Sequence, residues 1–184
     1  MKNITTRELV LASLFAALTA ALSYVSIPVP LSPVPITGQT FGVMLSGALL
    51  GSKLGALSQI VYLLLGVIGL PVFAFGASGI ATLLGPSGGF LFGFPIAAYI
   101  TGLMLEKKKN ASVFYMAVAI AVGGIPVVYL PGIAQLSRFV EGGIIGAFMM
   151  MVLYIPGDII KVLVGTIILK AFKTRGLLSL LKKQ

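Results

Sequence analysis

Between residues 8 and 172 this chain is a succession of apolar runs broken by short stretches of proline, glycine or charge. Almost every charged residue sits at the end of a run rather than inside one. That arrangement leaves few folds open. Charged residues make up 9% of the chain and hydrophobic ones 58%, whereas a soluble domain carries roughly 25% charged residues. A core built for water would lack polar cover, so a lipid bilayer is the solvent that fits. The runs read as spans at about 8–27, 38–50, 54–69, 90–105, 111–130 and 156–172, which predicts a single domain, all-α, with six transmembrane helices. The second run is short for a hydrocarbon layer of about 30 Å and needs thin cover or extension by its loop. The first run has no small-residue cleavage site at a polar boundary, so it reads as a retained helix rather than a removed signal peptide.

The breaks between runs carry information of their own. Pro28, Pro30, Pro33 and Pro35 exclude helix and predict an extended loop over residues 26–36. Gly51-Ser52-Lys53 reads as a turn. Residues 70–89 are rich in glycine but contain Phe73 and Phe75, and so are expected to fold back into the protein. The fifth run is expected to stop at Pro131, and residues 135–141, the most polar internal stretch, to lie at an interface. Residues 142–153 read as a short segment with re-entrant character. The last span is expected to start at Pro156, a residue suited to a first helical turn.

A net charge of +9 does not point to nucleic acid, because no basic stripe with interleaved aromatics occurs. The charges instead orient the spans. With the N-terminus inside, Lys2, Arg7, Lys53, Lys107, Lys108, Lys109, Lys170, Lys173, Arg175, Lys182 and Lys183 fall on the cytoplasmic side. Arg138 alone falls outside, and Lys161 lies within a span. Lysine and arginine favour cytoplasmic loops, so both termini are expected to be cytoplasmic. The proline-rich loop, the glycine-rich loop and the segment before Pro156 then meet on the outer face. Irregular backbone at membrane depth is tolerated only where it is buried in protein or lines a cavity, so a pocket is expected in the outer half.

Cysteine and histidine are both absent, which removes disulfides, thiolate catalysis, haem ligation and most zinc or iron sites. Two ionisable residues remain at membrane depth, Asp158 and Lys161 in Pro156-Gly157-Asp158-Ile159-Ile160-Lys161. Their spacing of three puts them on one helix face, and a charge left in hydrocarbon costs at least ~2.5 kcal/mol. They can close on each other as an ion pair, or Asp158 can sit on the helix N-terminus while Lys161 snorkels. They can also receive a ligand that brings an anion to Lys161 and N–H donors to Asp158. Both readings can hold, since an unliganded pair is free to close.

Ala12, Ala16 and Ala20 form a smooth stripe on the first helix, suited to close packing within the chain or to docking on another membrane subunit. Gly38, Gly42, Gly47, Gly51 and Gly55 repeat the spacing and are expected to pack internally. The run Gly85-Pro86-Ser87-Gly88-Gly89-Phe90 is no phosphate loop, and the pattern G-x-x-x-x-G-K followed by Ser or Thr occurs nowhere. The chain is therefore not expected to hydrolyse ATP. An intramembrane enzyme would need paired catalytic groups, yet Asp158 is the one clear intramembrane carboxylate, with Glu8, Glu106 and Glu141 near span ends. A stand-alone secondary transporter often shows internal repeats, and none is detectable.

Four motifs in order carry a resemblance: Pro33-Val34-Pro35-Ile36-Thr37-Gly38-Gln39-Thr40, Gly69-Leu70-Pro71-Val72-Phe73-Ala74, Gly85-Pro86-Ser87-Gly88-Gly89-Phe90 and Pro156-Gly157-Asp158-Ile159-Ile160-Lys161. Together they resemble the BioY family, substrate-binding (S) components of energy-coupling-factor (ECF) importers for biotin. The likeness runs from Arg7 to Phe172. It implies a six-helix S-component bundle in the bacterial plasma membrane that holds biotin near the outer face and has no cofactor of its own. It implies as partners a transmembrane coupling subunit and two cytoplasmic ATP-binding cassette ATPases, whose ATP hydrolysis tilts the subunit and carries the pocket inward. It also implies that Ala12 and Ala16 dock on the coupling subunit. The resemblance matches the family's polar pocket to Asp158 and Lys161, with Gln39, Ser87 and Phe90 carried over from matching motifs; by its chemistry, biotin's valerate carboxylate suits Lys161 and its ureido N–H groups suit an acceptor such as Asp158. The chain departs from the family's commoner Thr and Tyr at Ser87 and Phe90. The same architecture serving another vitamin is the alternative.

Overall fold

The computed structural model describes residues 4–108 and 110–181; Lys2, Lys109, Lys182 and Lys183 lie outside the described residues. The first helix, α1 (Thr6–Ser23), starts on a capping box in which Thr5 Oγ1 accepts from the Glu8 amide and the Glu8 carboxylate accepts from the Thr5 amide. An antiparallel hairpin follows, β1 (Ser26–Val29) and β2 (Ser32–Thr37), with Ser26 opposite Thr37 and Ile27 opposite Ile36. The backbone is extended there as expected, and the two halves of the stretch pair with each other rather than forming a loop throughout. Proline removes a ladder donor only on one side of a strand, and both strands of an isolated hairpin have a free edge to spare.

The second helix, α2 (Gln39–Leu45), runs on through a π-helical turn (Ser46–Leu50) and stops at Gly51, whose φ of 87° favours glycine. Then come α3 (Ser52–Val67), a short α4 (Ile80–Leu84) and α5 (Gly88–Lys107). Helix α6 (Val113–Val122) passes through a second π turn (Gly123–Val127) into α7 (Val128–Leu136). Here the structure overturns a boundary: the fifth run continues through Pro131 to Leu136. Proline kinks rather than ends a membrane helix when neighbours re-pack the loosened backbone. The π turn lies just upstream, and Gly89 and Gly93 let α5 come against Pro131; a Cβ at Gly89 would lie 2.1 Å from the Pro131 carbonyl oxygen. Residues expected as a short segment before the last span form α8 (Gly143–Met151), joined by a tight turn (Val152–Tyr154) to α9 (Ile155–Thr174). Pro156 sits in the first turn of α9, as expected. A short α10 (Leu178–Leu181) closes the described chain.

Among the described residues, four helical segments are long and apolar enough to cross a membrane: Thr6–Ser23, Gly88–Lys107, Val113–Leu136 and Gly143–Thr174. Two shorter apolar helices, Gln39–Leu50 and Ser52–Val67, accompany them. Each apolar run of the sequence falls on one of these segments. Outward faces carry bare hydrocarbon, with Leu14, Ile96, Phe114, Leu130, Phe148, Leu163 and Ile167 all exposed, a surface that belongs in lipid.

Since lipid tails are as apolar as leucine, close packing and hydrogen bonds must hold the helices together. The glycines do the first, as expected: a Cβ on Gly42 would lie 2.7 Å from Thr19 Oγ1 and one on Gly47 2.4 Å from the Ala98 carbonyl. Gln59 does the second, its Nε2 facing the hydroxyls of Thr19 (3.1 Å), Ser46 (2.8 Å) and Ser58 (3.1 Å). Each of these hydroxyls donates to a carbonyl of its own helix, so only lone pairs remain for the amide. Three helices are thereby joined at one buried point.

The alanine stripe needs a correction. Ala12 and Ala16 are almost wholly buried inside the chain, and Ala20 is half-buried against the same core. The face of α1 that carries them packs on α2 and α3. The small residues that α1 leaves exposed are Ser13, Ala17 and Ala21, one position further along.

The core divides in two. One cluster includes Val43, Tyr62, Phe73, Phe90, Phe94, Val128 and Tyr154; the other includes Phe15, Met44, Leu49, Met116, Ile120, Val162 and Leu169. Leu11, Leu54, Leu105, Ala111 and Phe172 pack against the second, so Arg7, Lys53, Lys107, Lys108 and Lys173, their near neighbours in sequence, gather at that pole. Glu106 joins two elements there, accepting from the Ser52 amide (2.8 Å) and Ser52 Oγ (2.7 Å). The first cluster surrounds the cavity described next.

Candidate ligand-binding site

The hairpin, the segment between α3 and α5, and the helices α5, α7 and α9 enclose a cavity of about 180 Å³. Asp158 and Lys161 both face it from the start of α9. The resulting site draws its polar groups from four separate regions of the chain.

Asp158 lies in the first turn of α9, where the free amides of a helix N-terminus favour an anion. Its Oδ1 accepts from Lys161 Nζ at 2.9 Å, and its Oδ2 accepts from the Tyr129 hydroxyl at 2.5 Å. Lys161 Nζ also donates to Thr40 Oγ1 at 2.8 Å. The carboxylate side chain is 4% exposed and the lysine 17%. The pair therefore closes on itself, as one sequence reading expected, and still keeps capacity: the ammonium has a third N–H, and each carboxylate oxygen has a further lone pair. A carboxylate and an ammonium in contact cancel as a net charge, which is what allows both to stay buried.

Gln39, the first residue of α2, is held at both ends of its amide. Its Nε2 donates to the Tyr62 hydroxyl (2.6 Å), and its Oε1 accepts from Thr37 Oγ1 (3.0 Å). Tyr62 in turn donates to the Val72 carbonyl (2.9 Å) and packs edge-on to Phe73 with ring centroids 5.6 Å apart. Phe90 packs against α7 where Gly132 has no side chain; a Cβ there would sit 2.3 Å from its ring. Its ring meets Tyr129 edge-on at 6.3 Å. Ser87 lines the cavity just before α5. Thus Gln39, Ser87, Phe90, Asp158 and Lys161, named from three motifs far apart in sequence, all line one cavity.

Two loops roof the site. The hairpin is tied down by a hydrogen bond from the Tyr154 hydroxyl to the Val34 carbonyl. The glycine-rich loop is tied to α7, where Gln135 Nε2 donates to the carbonyls of Leu83 and Gly85, each at 2.8 Å. Its glycines serve close packing: a Cβ on Gly88 would lie 1.7 Å from the Leu83 carbonyl oxygen. Of the two phenylalanines expected to fold back, Phe73 does so and is fully buried, whereas Phe75 is 63% exposed at the rim. Phe75 has a φ of 56°, the one positive value outside glycine among the described residues.

Sequence reasoning missed Tyr129 and Thr40. Thr40 stands beside Gln39 in a motif already singled out. Tyr129 lies inside an apolar run with no spacing signal; the clue was the buried Asp158, which needs more than one donor. Aromatic walls around one neutral ion pair suit a small, partly apolar molecule with a compact polar group.

Comparison with known proteins places this architecture. The model of the BioY family matches residues 1–176. A biotin transporter BioY of Rhizobium etli is 39% identical over 175 residues, which cover 91% of this chain and 93% of the relative. One of Thermotoga maritima is 40% identical over 162 residues, covering 88% and 93%. Among solved structures, the crystal structure of the S-component for biotin from an ECF-type ABC transporter superposes with a TM-score of 0.87 at 29% identity, covering 94% of this chain and 95% of that one.

Proposed function

This chain belongs to the BioY family, and we propose that it is the biotin-binding, substrate-specific subunit of an ECF ABC-type importer. The observation that carries the reading is the cavity in which Gln39, Ser87 and Phe90 surround the buried Asp158–Lys161 pair. A neutral pair with spare donors and acceptors, walled by Phe90, Phe94 and Tyr129, suits a ligand with a polar ureido ring on an apolar frame. Calorimetric titration of biotin into the detergent-purified chain, with riboflavin and thiamine as controls, tests it. Saturable binding of biotin alone is expected. Equal heats for all three vitamins, or none from folded protein, would assign the architecture to another ligand.

The chain crosses the membrane six times in this reading, with both termini in the cytoplasm of a bacterial cell. Support comes from the gathering of Arg7, Lys53, Lys107, Lys108, Lys170, Lys173 and Arg175 near the ends of spans that the positive-inside rule places there. The cavity then opens outward, and ATP is hydrolysed by partner subunits.

Docking on a coupling subunit falls to the exposed small residues Ser13, Ala17 and Ala21, since Ala12 and Ala16 are already packed. Ala17→Leu should leave calorimetric biotin binding unchanged and abolish co-purification with the coupling subunit. Intact co-purification would move the docking face to another helix.

A further inference from the structure

We infer that the groove between α7 and α8 is a binding site for one phospholipid, with an acyl chain laid along the groove and the phosphate at Arg138. In the orientation of the proposed function this is a lipid of the outer leaflet. The site needs only a bilayer around the chain, so it stands whatever fills the ligand cavity.

The groove is a hollow of about 500 Å³. Ile125, Leu130 and Ala134 line one wall, and Ile144, Phe148 and Ile155 the other. Tyr129 and Met151, which also line the ligand cavity, form the partition between the two. No charged side chain lines the groove, and its one side-chain hydroxyl, that of Tyr129, is spent on Asp158. Leu130, Ile144 and Phe148 are more than half exposed. Both walls belong to segments long and apolar enough to cross a membrane, so hydrocarbon rather than water meets them. A flat face gives a lipid chain contacts on one side, whereas a concave one surrounds it and gathers dispersion contacts along its length.

Length and charge identify the occupant. From Ile125 to Ala134 the helix rises ~14 Å at ~1.5 Å per residue, about half of a hydrocarbon core of ~30 Å. The groove therefore has the depth of one leaflet. It runs from the connection between α7 and α8 down to the π turn (Gly123–Val127) that supplies Ile125 and Pro126. Arg138 lies on that connection, four residues beyond Ala134, and is exposed. It has no carboxylate partner among the described residues. Glu141, on the same connection, lines a different hollow with Pro30 and Pro33 of the hairpin, so a positive charge is left at the outer end of the groove. A guanidinium at headgroup level, beyond a slot the length of an acyl chain, matches a phosphodiester, which it binds through two parallel hydrogen bonds.

The test is native mass spectrometry of the purified full chain, delipidated in detergent and given dioleoylphosphatidylglycerol in steps. One lipid is expected to bind the wild type ahead of all others. Ala134→Phe, which fills the groove, and Arg138→Gln should each weaken that first binding by about tenfold. Arg138→Gln changes an exposed side chain, so it reports even where Ala134→Phe does not fold. Ile167→Phe, exposed on α9 and outside the groove, should leave the first binding unchanged. The lipid should also raise the melting temperature of the wild type but not of Arg138→Gln, because a ligand held only by the folded chain stabilises it. Equal lipid uptake by all four proteins would mean annular lipid only and overturn the site. Displacement of the lipid by millimolar inorganic phosphate would reduce it to an anion contact of Arg138 with no chain in the groove, and overturn it likewise. A lipid-free dimer of the wild type that Ala134→Phe abolishes would give the groove to a second copy of the chain instead.

Discussion

Lys161→Ala is expected to lower biotin affinity by at least tenfold and to destabilise the unliganded protein as well. Removing the ammonium strips Asp158 of its counter-charge while the carboxylate remains 4% exposed. Truncating one partner of a buried, hydrogen-bonded charge pair costs about 2–5 kcal/mol, most of it the penalty of the stranded charge. Tyr129 would still donate to Oδ2, but one neutral hydroxyl does not replace an ion. Two readouts separate the contributions. Thermal unfolding of Lys161→Ala should fall by several degrees, and the double variant Asp158→Asn/Lys161→Ala should recover most of that loss because no charge is left unpaired. Calorimetry should show no recovery of biotin binding in the double variant. Wild-type affinity in Lys161→Ala would remove the pair from the site.

Gly66→Val should have a comparable effect from a residue that does not line the cavity. A Cβ at Gly66 would lie 2.0 Å from the Phe73 ring, which is fully buried between Tyr62 and the helices. Any side chain there expels Phe73. Exposing a buried phenylalanine forfeits about 3–5 kcal/mol of core stability. The loop it anchors is held besides by the Gly79 amide on the Gly66 carbonyl (2.7 Å) and by the Tyr24 hydroxyl on the Pro71 carbonyl (2.7 Å). Ala74, Phe75 and Ala77 of that loop line the cavity, so binding should fall with stability. The companion Gly66→Ala/Phe73→Leu should regain part of both, since a smaller side chain clears the added methyl. Unchanged melting in Gly66→Val would mean that the loop can re-pack around it.

Periodicity and composition carried much of the fold because in lipid they answer a simple question, which stretches can be left without water. Each apolar run falls on a helix of the structure, and Pro156 sits in the first turn of α9. The errors share a cause. Pro131 reads as a helix end, yet α7 runs through it, with Gly89 and Gly93 of α5, far off in sequence, packed closely against it. Ala12 and Ala16 read equally as a packing stripe or a docking stripe, since spacing describes a face but not its occupant. Only the position of α2 and α3 shows that the face is taken and that Ser13, Ala17 and Ala21 are the ones left bare.

The site divides in the same way. By itself the sequence determined that Asp158 and Lys161 share one helix face, because three residues of α-helix do so wherever the helix lies, and that two charges in an apolar span must be satisfied. Whether they satisfy each other was a matter of tertiary structure. Tyr129 arrives from α7 and Thr40 from α2, each placed by helix packing that no local pattern encodes, and they hold the two charges 2.9 Å apart. That distance closes the two charges into one neutral pair. Spacing along a chain fixes direction around a helix, but the partners that close a polar site come from elsewhere in the fold.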